Sequence, residues 1–192
     1  MVIDVYKGIY GVPTKCGSRF FLKAAPYLGE PERRSFREFY SKKFTLEWIV
    51  IRNPLEHLKS ALQTEVMECF DDDSAILQIL QSFQDSYNGG SHFYPQFCQK
   101  IYEVWYKNRY KLKVIDLSQL SKFMEEILHH IPYDETEFDF HWSTNYKTKN
   151  EIWDRCIKLD KKSMETLIQY ATNDVEYYNA LLNKDDSFVK WI

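Results

Sequence analysis

Residues 46–62 read LEWIVIRNPLEHLKSAL, and this stretch constrains the fold more than any other part of the chain. LEWIVI is a near-continuous apolar run, as a strand buried on both faces requires. Asn53 and Pro54 follow almost at once. Asn suits the cap of a helix, because its side chain can accept the first free N–H groups, and Pro suits the first helical position. Leu55, Leu58, Leu62 and Val66 then keep helical spacing. A buried strand passing straight into an amphipathic helix is the repeating unit of α/β proteins.

The rest of the chain repeats the alternation. Residues 5–12 read as a first strand and KLKVIDL, 111–117, as a third. Helical patterns are predicted over 17–25 (stopped by Pro26), over 73–86 (broken by NGG at 88–90), from residue 96, and from Ser118 to about His130. The clearest helix spans 161–182, where Met164, Leu167, Ile168, Ala171, Val175, Tyr178, Leu181 and Leu182 make one stripe. Residues 27–45 and 131–159 read as irregular. Strands alternating with helices predict a central, mainly parallel sheet flanked by helices, in a single domain over 1–192. In such sheets ligands bind outside the carboxyl ends of the strands.

Composition narrows the class. A chain of 192 residues with 44% apolar and 17% aromatic residues can bury a proper core and is not disordered. A net charge of -3 counts against a nucleic-acid binder. Cys16, Cys69, Cys98 and Cys156 are scattered and form no CxxC pair, which argues against a zinc site or a disulfide framework and for reduced thiols. No run of about 18 apolar residues marks a membrane span, and the N-terminus lacks a signal-peptide pattern. The expectation is a soluble, cytoplasmic chain.

Two strand-to-helix loops carry candidate chemistry. In GIYGVPTKCGSRFFLKAA, 8–25, a turn after the first strand aims backbone N–H groups at one point, and the helix start adds partial positive charge. Lys15 adds a full charge, Gly17 permits close approach, and Ser18 offers a hydroxyl. The lysine precedes the glycine by two positions, so this is not the GxxxxGK[ST] loop of ordinary ATP and GTP sites. The plain alternative is a strand–turn–helix junction with a solvated lysine. In the second loop, Arg52 ends the strand and Ser60 lies in the next helix. An arginine fork and a hydroxyl can hold a second phosphate. Either residue alone is as easily a surface polar group.

Taken together, PTKCGSRFF and IVIRNPLEHLKSAL resemble the two nucleotide-binding motifs of the sulfotransferases, which use 3′-phosphoadenosine 5′-phosphosulfate (PAPS). Lys15, Cys16, Gly17, Ser18 and Arg19 are closest to the K-x-G-T-R form of the heparan 3-O branch. Arg52, Asn53, Pro54 and Ser60 match R-[DN]-P-x-x-R-x-x-S, with His57 where an arginine often stands. Thr14 replaces the usual proline before the lysine. SHFYPQ, 91–96, is similar to the H-x-x-P-Q element of the carbohydrate sulfotransferase branch, and HWSTNYKTK, 141–149, to the late loop that closes over the nucleotide.

The resemblance implies a P-loop-like three-layer fold and a PAPS-dependent sulfotransferase that needs no metal. Lys15 would meet the charge that grows on the oxygen bridging sulfur and the 5′-phosphate. Backbone 16–19 and the Ser18 hydroxyl would cradle that phosphate, and Arg52 and Ser60 would hold the 3′-phosphate. His92 is the first candidate for the base that activates a hydroxyl-bearing acceptor, with a glycan the favoured class. A structural histidine is its alternative, and Glu30, Glu32 and Glu38 are further candidates. Lys147, with Ser143, Thr144, Asn145 and Lys149, would close over the nucleotide. Arg33, Arg34, Arg37, Lys42 and Lys43 form a local basic run, either a glycan contact or a solvated face. Trp142 and Trp153 are sugar-stacking or core aromatics. Two other readings stand beside this one. One is a P-loop kinase-like phosphotransferase using Asp116 for magnesium. The other is a nucleotide- or partner-binding module without catalysis.

Overall fold

The computed structural model describes residues 2–5, 8–11, 32–34, 48–85, 93, 97–108, 112–119, 122 and 148–184. The chain groups into two compact units. One comprises Met1–Arg52, Glu103–His141 and Leu181–Ile192; the other comprises Asn53–Tyr102 and Trp142–Ala180.

The first unit carries the sheet. Its strands are β1 (Val2–Val5), β2 (Gly8–Gly11), β3 (Glu32–Arg34), β4 (Trp48–Ile51) and β5 (Lys113–Asp116), in spatial order β3-β1-β2-β4-β5. β2 pairs parallel to β4 and β4 parallel to β5, whereas β1 pairs antiparallel to both β2 and β3. An α/β class holds, but the described sheet is mixed rather than mainly parallel. The strand expected over 5–12 is β2, and a further strand, β1, precedes it, with Val5 opposite Gly8. No Asn-Gly or Asp-Gly marks that reversal, so the apolar pattern reads straight through it. A strand also lies at 32–34, within the stretch expected to be irregular. Among the described strands it stands at one end of the order.

The apolar run behaves as its composition requires. Ile49, Val50 and Ile51 are all buried, although successive strand residues face opposite sides. Trp48 is directly opposite Lys113, whose Nζ lies 4.3 Å from the Trp48 ring centroid. This cross-strand cation–π pair favours the observed register by about 0.5–1 kcal/mol.

The second unit is helical. It holds α1 (Pro54–Val66), a 3₁₀ turn (Met67–Cys69), α2 (Asp73–Asp85), and the start of α3 (Phe97–Asn108). Later in the chain it holds α4 (Lys149–Leu159) and most of α5 (Lys161–Asn183). Its core joins Leu58, Leu62 and Val66 of α1 to Ile76, Leu80 and Phe83 of α2, Ile152 and Cys156 of α4, and Met164, Leu167 and Ala171 of α5. Each fully buried Leu or Ile here contributes about 1.5–3 kcal/mol.

α4 corrects the expectation of irregular chain over 131–159. Thr148 and Glu151 form a capping box: the Glu151 N–H donates to Thr148 Oγ1 at 3.2 Å and the Thr148 N–H to Glu151 Oε2 at 2.7 Å. Asp160 then closes α4 and opens α5. Its N–H donates to the Cys156 carbonyl at 3.0 Å, while its carboxylate accepts the Ser163 N–H at 3.0 Å and the Ser163 hydroxyl at 2.5 Å. Those Ser163 bonds hold its carboxyl below the usual range.

Of the predicted helix from Ser118 to His130, Ser118 falls in a 3₁₀ turn (Leu117–Gln119) and Lys122 is helical. The remainder, like the helix predicted at 17–25, lies outside the described residues.

Candidate functional site

The second motif forms the junction its sequence predicts. β4 ends at Ile51, Arg52 follows half-buried, and Asn53 caps α1. The Leu55 and Glu56 N–H groups donate to Asn53 Oδ1 at 3.0 and 3.3 Å, and the His57 N–H donates to the Asn53 carbonyl at 2.8 Å. Pro54 enters the first turn without an N–H to satisfy.

Ser60 lies half-buried in the second turn of α1, and its carbonyl accepts the Thr64 hydroxyl at 3.1 Å. His57, at the position where an arginine often stands, is only 3% exposed. Its ring stacks on Phe97 with centroids 5.1 Å apart and lies 6.0 Å from Phe93. An imidazole this buried and packed against two phenyl rings is part of the core.

One end of the predicted late loop meets this motif. Lys149, in the first turn of α4, lies 3.9 Å from Glu56 Oε2, in the first turn of α1. Glu56 Oε1 pairs with Lys59 at 3.2 Å. Lys59 Nζ also lies 5.7 Å from the centroid of the Trp153 ring, which packs against the helical core. Two ammonium groups, one carboxylate and an indole are thus gathered around Glu56 and Lys59. Sequence reasoning names Ser60, Lys149 and Trp153 but not Glu56 or Lys59. The two segments are far apart in the chain, and no local signal joins them.

Asp116, the magnesium candidate of the kinase-like reading, ends β5 at 8% exposure. Its Oδ1 accepts the Ser118 N–H at 2.8 Å and a short bond from the Ser118 hydroxyl. Such bonds are those of an aspartate that shapes the turn after its strand. Among the described residues, no three or more His, Cys, Asp or Glu side chains gather as a cation site. Cys69, Cys98 and Cys156 are free thiols. Burial pushes the Cys156 thiol up to about 12 and also raises Cys69, which makes both poor nucleophiles.

Asp174 carries a perturbation that sequence reasoning misses. From α5 it caps the start of α3: the Cys98 N–H donates to Oδ2 at 2.6 Å and the Gln99 N–H to Oδ1 at 2.8 Å. Burial pushes its carboxyl up to about 6, against the lowering effect of these two N–H groups and the Cys98 thiol.

Lys15, Cys16, Gly17, Ser18, Arg19, His92 and Lys147 lie outside the described residues, as do Glu30, Glu38, Trp142, Ser143, Thr144 and Asn145. Glu32, Arg33 and Arg34 form β3; Arg37, Lys42 and Lys43 lie outside. No helix among the described residues is long and apolar enough to cross a membrane. The chain matches no protein-family model, and neither curated proteins nor solved structures give a match to it.

Proposed function

We propose that this chain is a sulfotransferase that moves a sulfuryl group from PAPS to a hydroxyl acceptor, in first place a carbohydrate. The observation that carries the reading is the 3.9 Å approach of Lys149 to Glu56. It joins two segments, 49–62 and 141–149, that the resemblance assigns to the nucleotide. The capped junction at Arg52, Asn53 and Pro54 supports it further. With this reading belongs the finer fold, a P-loop-like three-layer arrangement in one sulfotransferase-like domain. Parallel pairing of β2, β4 and β5 supports that part.

In this reading the reaction is an in-line displacement at sulfur through a loose transition state, in which the protein positions groups and stabilises charge. The acceptor oxygen forms the new S–O bond as the bond to the bridging oxygen of the 5′-phosphate breaks. Lys15 and backbone 16–19, with Ser18, take up the charge on the departing nucleotide. His92 accepts the acceptor's proton. Arg52 and Ser60 hold the 3′-phosphate, the group that distinguishes PAPS from ATP.

Thermal unfolding with different nucleotides tests this. A ligand that binds only the folded chain stabilises it by about 2.7 kcal/mol at a hundred times its Kd. The expected result is a raised melting temperature with 3′-phosphoadenosine 5′-phosphate in the absence of metal, and a small shift with adenosine 5′-phosphate. A shift with ATP that requires magnesium, and none with the 3′-phosphorylated nucleotide, would replace this reading with the kinase-like one.

A further inference from the structure

We infer that Glu56 is an internal competitor for an anion at the start of α1: its carboxylate occupies Lys59 and Lys149, and a ligand phosphate must take those ammonium groups from it. The identification of the anion as the 3′-phosphate of a nucleotide rests on the proposed function; the competition itself does not.

The argument starts from the position of Glu56 in its helix. It is the third residue of α1, where a carboxylate commonly turns back to the cap residue's N–H. Here its two oxygens are divided between two cations instead, Oε1 on Lys59 and Oε2 toward Lys149. The free N–H groups of the first turn are met by the neutral Asn53 amide. The carboxylate is therefore available as a counter-ion. Lys59 is further held by the Trp153 ring, and Lys149 by its place in the first turn of a capped helix. Both cations are fixed to helices and not to loop tips, so an arriving anion finds them in place.

The pairs are weak by construction. The side chains involved are between 30% and 47% exposed, and the Lys149 contact is loose at 3.9 Å. Exposed pairs of this kind exchange readily with solvent and with other anions. A phosphate carrying nearly two charges outcompetes a single carboxylate for the same two ammonium groups. Glu56 thus lowers affinity for the anion and speeds its release. In a transferase whose spent nucleotide must leave, that is a useful setting of affinity.

The test is calorimetric titration of wild type and Glu56→Gln with 3′-phosphoadenosine 5′-phosphate and, separately, with inorganic pyrophosphate, at low and high ionic strength. Thermal unfolding confirms that the variant folds, and Glu165→Gln, an exposed carboxylate paired with Lys161 on α5, serves as the remote-charge control. Glu56→Gln is expected to bind both anions about three- to tenfold more tightly at low salt, less so at high salt, with Glu165→Gln unchanged. Adding Lys149→Met to Glu56→Gln should cancel most of the gain. Unchanged or weaker anion binding by Glu56→Gln would overturn the inference even if the nucleotide binds wild type well. Tighter pyrophosphate binding by Glu56→Gln, with no nucleotide binding to either protein, would leave the inference standing and remove the proposed function. If neither anion binds either protein, both fall.

Discussion

The starts of α1 and α3 solve one problem in opposite ways. Both helices open with N–H groups that have no partner within the helix. At α1 the acceptor is Asn53, next in sequence, neutral and half-buried. At α3 it is Asp174, which is 76 positions from Cys98, ionisable and 3% exposed. A local amide cap sets one helix start and nothing more. The remote carboxylate also fastens α3 to α5, so its loss removes a cap and a tertiary tie together. Burial gives that tie a pH dependence that the amide cannot have.

The comparison breaks first at Asp174. Asp174→Ala leaves two N–H groups without their acceptor and should cost about 2–3 kcal/mol, measured by urea unfolding near pH 5. Next is the pH dependence. The folded-state pKa, about 6, lies above the ordinary 3.8, so the folded chain holds this proton more tightly than the unfolded chain. The associated stability is complete below about pH 4 and is lost as pH rises through 6, a change of a few kcal/mol. Asp174→Asn should remove this component, so that the variant gains on wild type between pH 4 and 7. A constant difference across that range would show that the carboxylate does not titrate with folding. Asn53→Ala should cost about 1 kcal/mol, with no change in pH profile. Smallest is Lys184→Gly. Lys184 follows α5 with φ of 53°, where its N–H donates to the Leu181 carbonyl at 3.3 Å. Glycine takes that conformation without the steric penalty of a Cβ, so the variant should gain up to about 1 kcal/mol.

The same contrast explains what was legible in the sequence. The β4–α1 junction was readable because the apolar run, the cap and the Pro are contiguous. The 161–182 stripe was readable because twenty-odd residues keep one period. α4 was equally local, since Thr148 and Glu151 stand at capping-box spacing ahead of Ile152 and Cys156; the polar, aromatic residues before it hid the signal. The β1–β2 reversal and the three-residue β3 carry no turn or alternation signal, because partner strands define them. In the candidate site, Arg52 and Ser60 stand out through motif spacing. Glu56 and Lys59 do not, because their significance depends on Lys149 arriving from another part of the chain.

Calorimetric titration with 3′-phosphoadenosine 5′-phosphate, against adenosine 5′-phosphate and without metal, tests the central claim most directly. The account predicts binding that needs the 3′-phosphate and drops at least about tenfold in Arg52→Ala, as expected when a charged hydrogen-bond partner is removed. Equal binding of the two nucleotides, or no binding of either, would contradict it.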